Sequence, residues 1–490
     1  MTQEILVNIT PQETRVAVLD NGSLQEIHIE RARARGLVGN IYQGEVVRVL
    51  PGMQAAFVEA GLARTAFLHA SDITAGRQIA GDDPIQSELI QHHLREQQRL
   101  RVQVIKDPIG GKGARLTTQI TISSRTLVLL VDAPGVGLSA RIEGADERER
   151  LKAIAGDLLG PSSAHGCIFR TAAEGADEAT LARDWGYLQR LWQAIEKRSQ
   201  TAQPATLLHA DLPLKLRVLR DLMSATVERI QVDSQEALAA MREFAHAYLP
   251  DALGCLQHYS GARPIFDLYA VEDEIQRALQ RRVTLKSGGT LMIDQTEAMT
   301  TIDVNTGGYV GHRTLEETIF KTNLEAAQAI SRQLRLRNLG GIIIVDFIDM
   351  EDAEHQRQVL RALEKGFEAD HARVQISGVS ALGLVEMTRK RTRESLEHLL
   401  CSPCPQCSGR GFLKSAETLV HEIARAILRE ARQFETTRLL VLAPQEVVDR
   451  ALGEESDSFA ELETFIGKPI AFQAEPLYHA EQFDVVLMSS

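Results

Sequence analysis

Alternation of apolar and polar residues predicts that the chain begins with β-strands. Three short apolar runs occupy residues 5–7, 15–18 and 27–29, and the turn Asp20-Asn21-Gly22 lies between the second and the third. Asn-Gly between two such runs favours a tight hairpin, because both residues tolerate positive φ angles. The pattern therefore predicts one strand followed by a hairpin of two more.

A second group of short strands predicts a small β-barrel between about residues 37 and 125. A polar, glutamine-rich insertion, roughly Ala75 to Gln98, interrupts it. The strands look like an S1-type OB fold, a five-stranded barrel that binds single-stranded nucleic acid on one face. Phe57 and Phe67 are its candidate stacking platforms and Lys112 is a candidate phosphate contact. The alternative is that both rings belong to the barrel core.

The rest of the chain predicts alternating helices and strands. Residues 126–214 predict strand, helix, strand and helix in that order. A helix predicted from Thr314 to Arg337 opens with a capping box and ends at Gly340-Gly341, directly before an apolar strand that ends at Asp346. Helix, glycine turn and apolar strand in this order indicate an α/β layer. Residues 416–434 predict an amphipathic helix, and a short α/β unit follows it.

Length and charge narrow the class of protein. At 490 residues the chain is long enough for several domains, and its hydrophobic fraction of 44% is ordinary for a soluble protein. No apolar run approaches the length of a membrane span and the N-terminus lacks the features of a secretory signal, so we expect a cytoplasmic protein. The net charge of -12 argues against indiscriminate coating of nucleic acid. Two basic clusters, at 332–337 and 389–393, are either solvated helix faces or parts of a local binding channel.

Two apolar, strand-like runs end in carboxylates, the first at Asp303 and the second at Asp346. An acid at the end of a buried strand is costly unless it is paired, and two such acids at neighbouring strand ends can share a divalent cation. Period two places Asn305 on the same face as Asp303, where it could position that carboxylate or a scissile phosphate. These residues predict Mg²⁺-assisted phosphodiester chemistry. The alternative is that each aspartate caps a turn or helix, as Asp346 would for a helix starting near Glu351.

Three of the five cysteines crowd into Cys401, Cys404 and Cys407. A C-x-x-C motif followed by small residues supplies half of a tetrahedral zinc site, and a closed site needs four ligands. Within one chain only Cys401 or His398 could help to complete it. The other solution is symmetric, with Cys404 and Cys407 of two chains sharing one zinc, and it predicts a dimer. A redox pair would need a βαβ context that the sequence around the cysteines does not predict.

Arg170 and Thr171 are neighbours at the predicted end of a strand. An arginine and a threonine hydroxyl placed in this way can clamp a terminal phosphate. By itself the dipeptide is more often an ordinary surface feature.

Two alternative functions are less well supported by these motifs. A nucleotide hydrolase is disfavoured because the chain has no G-x-x-x-x-G-K-[ST] loop, and Gly110-Gly111-Lys112-Gly113 lacks its spacing. A non-catalytic RNA-binding module built on the barrel would leave the two strand-end acids unexplained.

Taken together, the motifs resemble the bacterial ribonuclease E/G family. The resemblance covers essentially the whole chain, from Val7-Asn8-Ile9-Thr10 to the Cys404-Pro405-x-Cys407-x-Gly409-x-Gly411 motif. Its most specific matches are Thr301-Ile302-Asp303-Val304-Asn305 and Val345-Asp346-Phe347-Ile348-Asp349-Met350. The length is that of a catalytic region without a long disordered extension.

The resemblance implies an α+β multidomain endoribonuclease. The implied domains are an RNase H-like unit without an active site (1–36 and 215–278), an S1-type OB-fold barrel (37–125), a 5′-monophosphate sensor (126–214), a DNase I-like α/β catalytic domain (279–400), a zinc link (401–413) and a small C-terminal α/β oligomerisation domain (414–490). The implied substrate is single-stranded, A/U-rich RNA, cut by water to leave a 3′-hydroxyl and a 5′-phosphate. The implied processes are maturation of the 5′ end of small-subunit ribosomal RNA and messenger RNA turnover.

The resemblance also implies roles for individual residues. The implied roles are Mg²⁺ binding for Asp303 and Asp346 with Asn305 as their helper, RNA binding for Phe57, Phe67 and Lys112, 5′-phosphate sensing for Arg170, Thr171, Val128 and Arg373, and Zn²⁺ binding for Cys404 and Cys407 across a homodimer that could pair into a tetramer. One position departs from the family pattern, because Ser124 stands where the pattern has a glycine in the sensor. A side chain there would narrow the pocket or add a hydroxyl contact. Cys401 is an additional thiol beside the zinc pair.

Overall fold

The computed structural model describes residues 2–33, 35–73, 90–108, 112–160, 163–224, 226–307, 315–368, 370–380, 382–391 and 393–488. They belong to two compact units, residues 1–397 and 398–490. The architecture is mixed α+β, as the sequence predicts. Most of the predicted glutamine-rich insertion and the predicted capping residue Thr314 lie outside the described residues.

The strands are β1 Gln3–Ile9, β2 Glu13–Asp20, β3 Ser23–Arg31, β4 Ile41–Leu50, β5 Ala55–Glu59, β6 Ala66–His69, β7 Arg99–Lys106, β8 Arg115–Thr117, β9 Thr121–Ser123, β10 Leu127–Leu130, β11 Val136–Leu138, β12 Gly166–Phe169, β13 Thr206–His209, β14 Val227–Val232, β15 Leu256–His258, β16 Arg282–Thr284, β17 Thr290–Gln295, β18 Met299–Asn305, β19 Gly341–Asp346, β20 Val374–Val379, β21 Leu384–Arg389, β22 Arg438–Ala443, β23 Ile470–Ala474 and β24 Asp484–Met488. The α-helices are α1 Ile90–His93, α2 Ala145–Leu159, α3 Glu178–Thr201, α4 Leu214–Arg217, α5 Gln235–Tyr248, α6 Ile265–Leu268, α7 Val271–Ala278, α8 Leu315–Leu336, α9 Ala353–Gly366, α10 Leu396–Leu400, α11 Ala416–Gln433, α12 Gln445–Leu452 and α13 Ser456–Ile466.

The first sheet combines two distant segments of the chain. Its order is β15-β14-β1-β2-β3, and β1 runs parallel to β14. The predicted hairpin is confirmed, with Asn21 and Gly22 at φ 47° and 76° between β2 and β3. Apolar residues of β1 and β14 pack against α5, as Ile5, Ile230 and Met241 show. The N-terminal strands and residues 227–258 therefore share one layer.

A closed, OB-like barrel follows the first three strands. Strands β4, β5, β6, β8 and β7 pair in this order, and β4 also pairs with β7 to close the ring. Alternate residues such as Val46, Val58 and Leu68 fill its interior. Gly44 sits where the two sides approach closely, because a Cβ there would lie 2.6 Å from Cγ1 of Val58. The five-stranded barrel predicted from the sequence is confirmed.

A smaller sheet, β11-β12-β10-β9, packs on two helices. Its core joins Leu129 and Phe169 of the strands to Leu151 of α2 and to Trp185 and Leu188 of α3. The predicted order of strand, helix, strand and helix is therefore present in this segment.

The fourth sheet has the order β16-β17-β18-β19-β21-β20. Helices α8 and α9 cover one face, where Ile302 and Val345 meet Ile330 of α8 and Leu363 of α9. Alternate residues of β18 and β19 face the other way and are exposed. Gly341, at φ 97°, begins β19 after α8, so the predicted order of helix, glycine turn and strand is confirmed.

The C-terminal unit is a sheet of order β23-β22-β24 with three helices. Strand β23, which the sequence pattern did not predict, runs parallel to β22, and α12 and α13 connect the two. None of the helices in the described ranges has the length and apolar character needed to cross a membrane.

The basic clusters join parts of the first unit. Arg332 of α8 pairs with Glu274 of α7, and Arg335 donates to Gln25 of β3. Arg389, in the second cluster, is buried. The expectation of a solvated face is therefore wrong for Arg389, which is buried, whereas Arg332 and Arg335 are half-buried and paired with other elements.

Candidate functional site

Asp303 and Asp346 lie side by side at the ends of two parallel strands. The register of β18 and β19 pairs them directly. Ile302 and Val345, one position earlier, face the helices, so the alternation along each strand turns both carboxylates to the exposed face. Neighbouring strands lie about 4.8 Å apart, which is a spacing at which two carboxylates can share one cation.

Asn305 orients the first of these carboxylates. It projects from the same face, and its Nδ2 donates to Oδ2 of Asp303 at 2.6 Å. The alternative role of Asp346 as a helix cap is wrong, because α9 begins after Asp352, whose Oδ1 accepts a hydrogen bond from the backbone N–H of Glu354 at 2.7 Å. The N-cap of α9 is thus Asp352, and Asp346 stays on the exposed sheet face beside Asp303.

The turn after β18 requires a glycine. Gly307 has φ 60°, and a Cβ there would lie 2.4 Å from the carbonyl oxygen of Gly288. The backbone just beyond Asn305 therefore packs directly on the turn between β16 and β17, which holds the end of β18 in place.

The donors at this edge fit a hard divalent cation. Two carboxylates on an exposed face leave room for the water and phosphate oxygens that complete a Mg²⁺ site. A second group, Glu316, Asp352 and His355, has ligand atoms within 4.8 Å of one another. It lies at the N-terminal ends of α8 and α9, where the helix dipoles disfavour a cation.

Phe57 and Phe67 form a paired aromatic surface on the barrel. They are cross-strand neighbours on β5 and β6, with ring centroids 6.3 Å apart and ring planes at 68°. Both are half-buried and lie outside the barrel interior, which is filled by their sequence neighbours. The core interpretation is therefore wrong. His69 extends the surface, with its ring 6.3 Å from that of Phe67, and Lys112 is exposed.

Arg170 follows β12 and is held from two sides. Its Nη1 donates to the carbonyl of Ser124 at 2.7 Å, and its Nη2 donates to Oδ1 of Asp221 at 2.9 Å. The side chain is half-buried. Thr171 is exposed, and its hydroxyl lies 3.0 Å from that of Ser139.

Val128 belongs to the small sheet, whereas Arg373 directly precedes β20 of the fourth sheet. Val128 lies on β10, opposite Ile168 of β12. Arg373 is exposed directly before β20, and Arg141, in the segment between β11 and α2, donates to the carbonyl of Asp370, three residues earlier. The segment after β11 therefore contacts the segment that carries Arg373.

Ser124 does not present its hydroxyl to a ligand. The side chain is buried, and its Oγ donates to Oδ2 of Asp184 at 2.7 Å. The same carboxylate accepts from the N–H and the hydroxyl of Thr126 at 3.1 and 2.6 Å. The extra hydroxyl at this position thus fixes the turn that offers its carbonyl to Arg170.

Cys404 and Cys407 lie in a loop before α11. The N–H of Gly411 donates to Sγ of Cys407 at 3.4 Å. This bond lowers the pKa of the Cys407 thiol, which favours the thiolate that binds metal. Positive φ angles at Ser408 and Gly409 shape the loop. Two thiols at this spacing, one of them with a backbone N–H donor, fit half of a tetrahedral zinc site.

Comparisons with known proteins decide the family. A model described as "Ribonuclease E/G family" matches residues 121–392, more than half of the chain. The chain belongs to the ribonuclease E/G family. It is 55% identical over 491 residues to the ribonuclease G of Escherichia coli strain K12, covering 100% of both chains. It is 49% identical to the ribonuclease G of Haemophilus influenzae, covering 99% of both, and 37% identical to the ribonuclease E of Escherichia coli strain K12, covering 94% of this chain and 44% of that protein.

A second family model corrects one expectation about the cysteines. A model described as "RNase E/G, Thioredoxin-like domain" matches residues 403–488. The parallel strands β22 and β23 with their connecting helices do form a βαβ arrangement, which the sequence did not predict. However, Cys404 and Cys407 precede α11, whereas a redox pair would sit at the start of the helix that follows β22.

Two acids at the candidate sensor of this family member were missed by the sequence analysis. Asp184 had a usable signal, because it sits on the apolar stripe of α3 between Leu181 and Leu188, where a charge must be paired. Asp221 had none, since its contact with Arg170 spans 51 positions of sequence.

Proposed function

We propose that the chain is an endoribonuclease that uses Mg²⁺ to hydrolyse single-stranded, A/U-rich RNA and favours substrates with a 5′-monophosphate. The observation that carries the proposal is the direct pairing of Asp303 with Asp346 on an exposed sheet face, with Asn305 bonded to Asp303. Membership of the ribonuclease E/G family supports it. The fourth sheet with α8 and α9 is then a DNase I-like catalytic domain, within residues 279–400.

The chemistry assigned to the site is hydrolysis of one phosphodiester bond. When bound, Mg²⁺ supplies a water of lowered pKa and neutralises charge on the phosphate oxygens. Asp303 and Asp346 hold the ion through their carboxylate oxygens. Asn305 keeps Asp303 in one orientation, and the second hydrogen of its amide can donate to the scissile phosphate. Attack by water leaves a 3′-hydroxyl on one fragment and a 5′-phosphate on the other.

The barrel supplies the preference for single strands. Phe57 and Phe67 present ring faces and edges on which unpaired bases stack, and Lys112 contributes positive charge for the backbone. Bases in an A-form duplex are not open to such stacking. We therefore assign residues 37–125 to an S1-type RNA clamp.

Arg170, Thr171 and Val128, with Arg373, form the proposed reader of the RNA 5′ end in a sensor within residues 126–214. Arg170 supplies charge-assisted donors and Thr171 a hydroxyl, a combination that fits a terminal phosphate. In this proposal residues 1–36 and 215–278 form an RNase H-like unit that has no active site.

We further propose that the enzyme works in the cytoplasm as a homodimer. Cys404 and Cys407 of the zinc link at 401–413 bind one Zn²⁺ together with the same pair of a second copy. The C-terminal domain, 414–490, contributes to oligomerisation, and dimers can pair into a tetramer. The proposed cellular substrates are precursors of small-subunit ribosomal RNA, matured at the 5′ end, and messenger RNA.

The test is cleavage of a 5′-monophosphorylated single-stranded oligonucleotide by wild type, Asp303→Asn and Asp346→Asn, with RNA binding followed by fluorescence anisotropy. We expect both variants to lose about a hundredfold or more in rate while binding is retained, because the substitutions remove charge without removing bulk. Asp294→Asn, on the adjacent strand β17, is the matched control and should cut normally. Normal cleavage by either site variant would contradict the assignment. A wild type that binds RNA without cutting it would identify a binding module instead.

A further inference from the structure

A chain of ion pairs lies behind the proposed 5′-end reader. Asp221 belongs to a π-helical turn, Val218–Leu222. Beside its bond from Arg170, it accepts from Nε and Nη2 of Arg220 at 3.1 and 2.9 Å. Arg220 in turn donates to both oxygens of Asp211 at 2.7 and 3.2 Å. The network therefore contains two carboxylates and two guanidinium groups in alternation.

The network joins three parts of the first unit. The backbone N–H of Asp211 donates to Oδ1 of Asn40 at the start of the barrel, at 2.9 Å. Asp221 and Arg220 lie in the segment that precedes β14 of the first sheet, whereas Arg170 follows β12 of the small sheet. The orientation of Arg170 thus depends on a segment outside its own sheet.

Arg170 needs this second anchor. Its backbone N–H donates to the carbonyl of Thr126 at 2.8 Å, and Nη1 bonds to the carbonyl of Ser124, so both of these contacts come from one turn. A long arginine side chain with one restrained nitrogen can still rotate. The bond from Nη2 to Asp221 supplies the second fixed nitrogen, which sets the plane of the guanidinium.

The charges in the network allow Asp221 to orient Arg170 without competing strongly with a phosphate for its positive charge. Arg220 neutralises much of the charge of Asp221, so Asp221 can hold Arg170 without cancelling its positive charge. Burial raises the pKa of Asp221, but the hydrogen bond and charge of Arg220, with the charge of Arg170, outweigh burial and lower it. Arg170 has five N–H donors, of which these contacts use two, so donors remain for a phosphate.

We propose that Asp221 is a positioning residue for recognition of the RNA 5′-phosphate by Arg170. This inference rests on the proposed function, in which Arg170 reads that phosphate. It adds that a segment of the proposed RNase H-like unit, although without an active site, takes part in choosing the RNA end.

The test compares kcat/KM for two oligonucleotides of one sequence, with a 5′-monophosphate or a 5′-hydroxyl. The variants are Arg170→Ala, Asp221→Ala, Asp221→Asn, Asp221→Glu and the double variant Arg170→Ala/Asp221→Ala. Asp157→Asn, an exposed residue of α2, is the matched control. We expect Asp221→Ala to reduce the preference for the monophosphate about tenfold, mainly through KM. This is the size of effect found when a residue that orients a metal ligand is removed.

The other variants separate positioning from a general structural role. Asp221→Asn, which keeps the shape but loses the charge, should fall between wild type and Asp221→Ala, and Asp221→Glu should restore part of the preference. The double variant should be no worse than Arg170→Ala, because Asp221 acts through Arg170. An equal loss on both oligonucleotides, an unchanged preference or a raised preference for the monophosphate would each overturn the inference. If Arg170→Ala kept the full preference, the sensor and the inference would both fail, whereas a loss in Arg170→Ala alone would overturn only the role of Asp221.

Discussion

The buried ion pair between Asp370 and Arg389 offers a sharp test of what stabilises the fourth sheet. Their side chains are 2% and 5% exposed. Nε and Nη2 of Arg389 donate to the two oxygens of Asp370 at 2.7 and 3.1 Å, and Nη1 donates to the carbonyl of Leu339 at 2.8 Å. Removing one partner of such a pair leaves a buried charge without its counter-ion and costs about 3–5 kcal/mol. Asp370→Asn keeps the volume and one acceptor, so we expect about 3 kcal/mol, at the lower end of the range.

The assay is native-state hydrogen exchange of the amides of β19 and β21, which pair with each other next to Arg389. A loss of about 3 kcal/mol corresponds to exchange roughly a hundredfold faster, since each 1.4 kcal/mol is about tenfold. Asp352→Asn is the control, because asparagine also caps a helix. The double variant Asp370→Leu/Arg389→Met should recover much of the loss. Acceleration of less than about tenfold in Asp370→Asn would refute the argument that this pair is energetically important.

Other regions give three further predictions. Burial and the neighbouring Arg393 lower the pKa of His28 from 6.5 to about 4. As the pH drops from about 6.5 to 4, His28 is protonated in the unfolded chain before it is protonated in the folded chain, so the free energy of unfolding falls over this window. Urea denaturation of His28→Gln should show a smaller fall in the free energy of unfolding, and an identical fall would exclude His28 as a cause. The double variant Cys404→Ser/Cys407→Ser should lose both bound zinc, measured by elemental analysis, and the dimer on a sizing column, and a dimer that persists without metal would contradict the shared site. Ser124→Gly removes one donor to a buried carboxylate and should lower the melting temperature by a few degrees, a cost of about 1–2 kcal/mol, whereas an unchanged melting temperature would show that its hydroxyl bond adds no stability.

The pairing of the two strand-end acids could be predicted from sequence because its signals are local. Asp303 and Asp346 each end an apolar run, and the helix between them forces the two strands to run parallel, so both ends meet at one edge. The barrel was predictable for a similar reason, since alternation and glycine spacing mark each strand. Strand β23 was missed because it is short and half-exposed, and its apolar run, Ile470-Ala471-Phe472, has only three residues.

The contacts between distant elements of the first unit could not be predicted in this way. Arg335 and Gln25 are 310 positions apart, and Arg170 and Asp221 are 51 apart. The sequence around an arginine does not predict which distant acid or amide will accept its hydrogen bonds. The basic clusters therefore looked like surface, although their partners come from other elements.

This difference between local and distant signals bears on how the two sites are related. The carboxylates of Asp303 and Asp346 are placed by strand register, which the sheet core of Ile302 and Val345 fixes. The side chains of the proposed reader are positioned by contacts between distant elements, among them the hydrogen bond from Arg170 to Asp221. Under the proposed function, changes in those contacts should alter which RNA ends are held, and they should leave the register of β18 and β19 unchanged. Choice of RNA and cleavage of RNA should therefore be separable by mutation, with the first lost at the domain contacts and the second only at the strand ends.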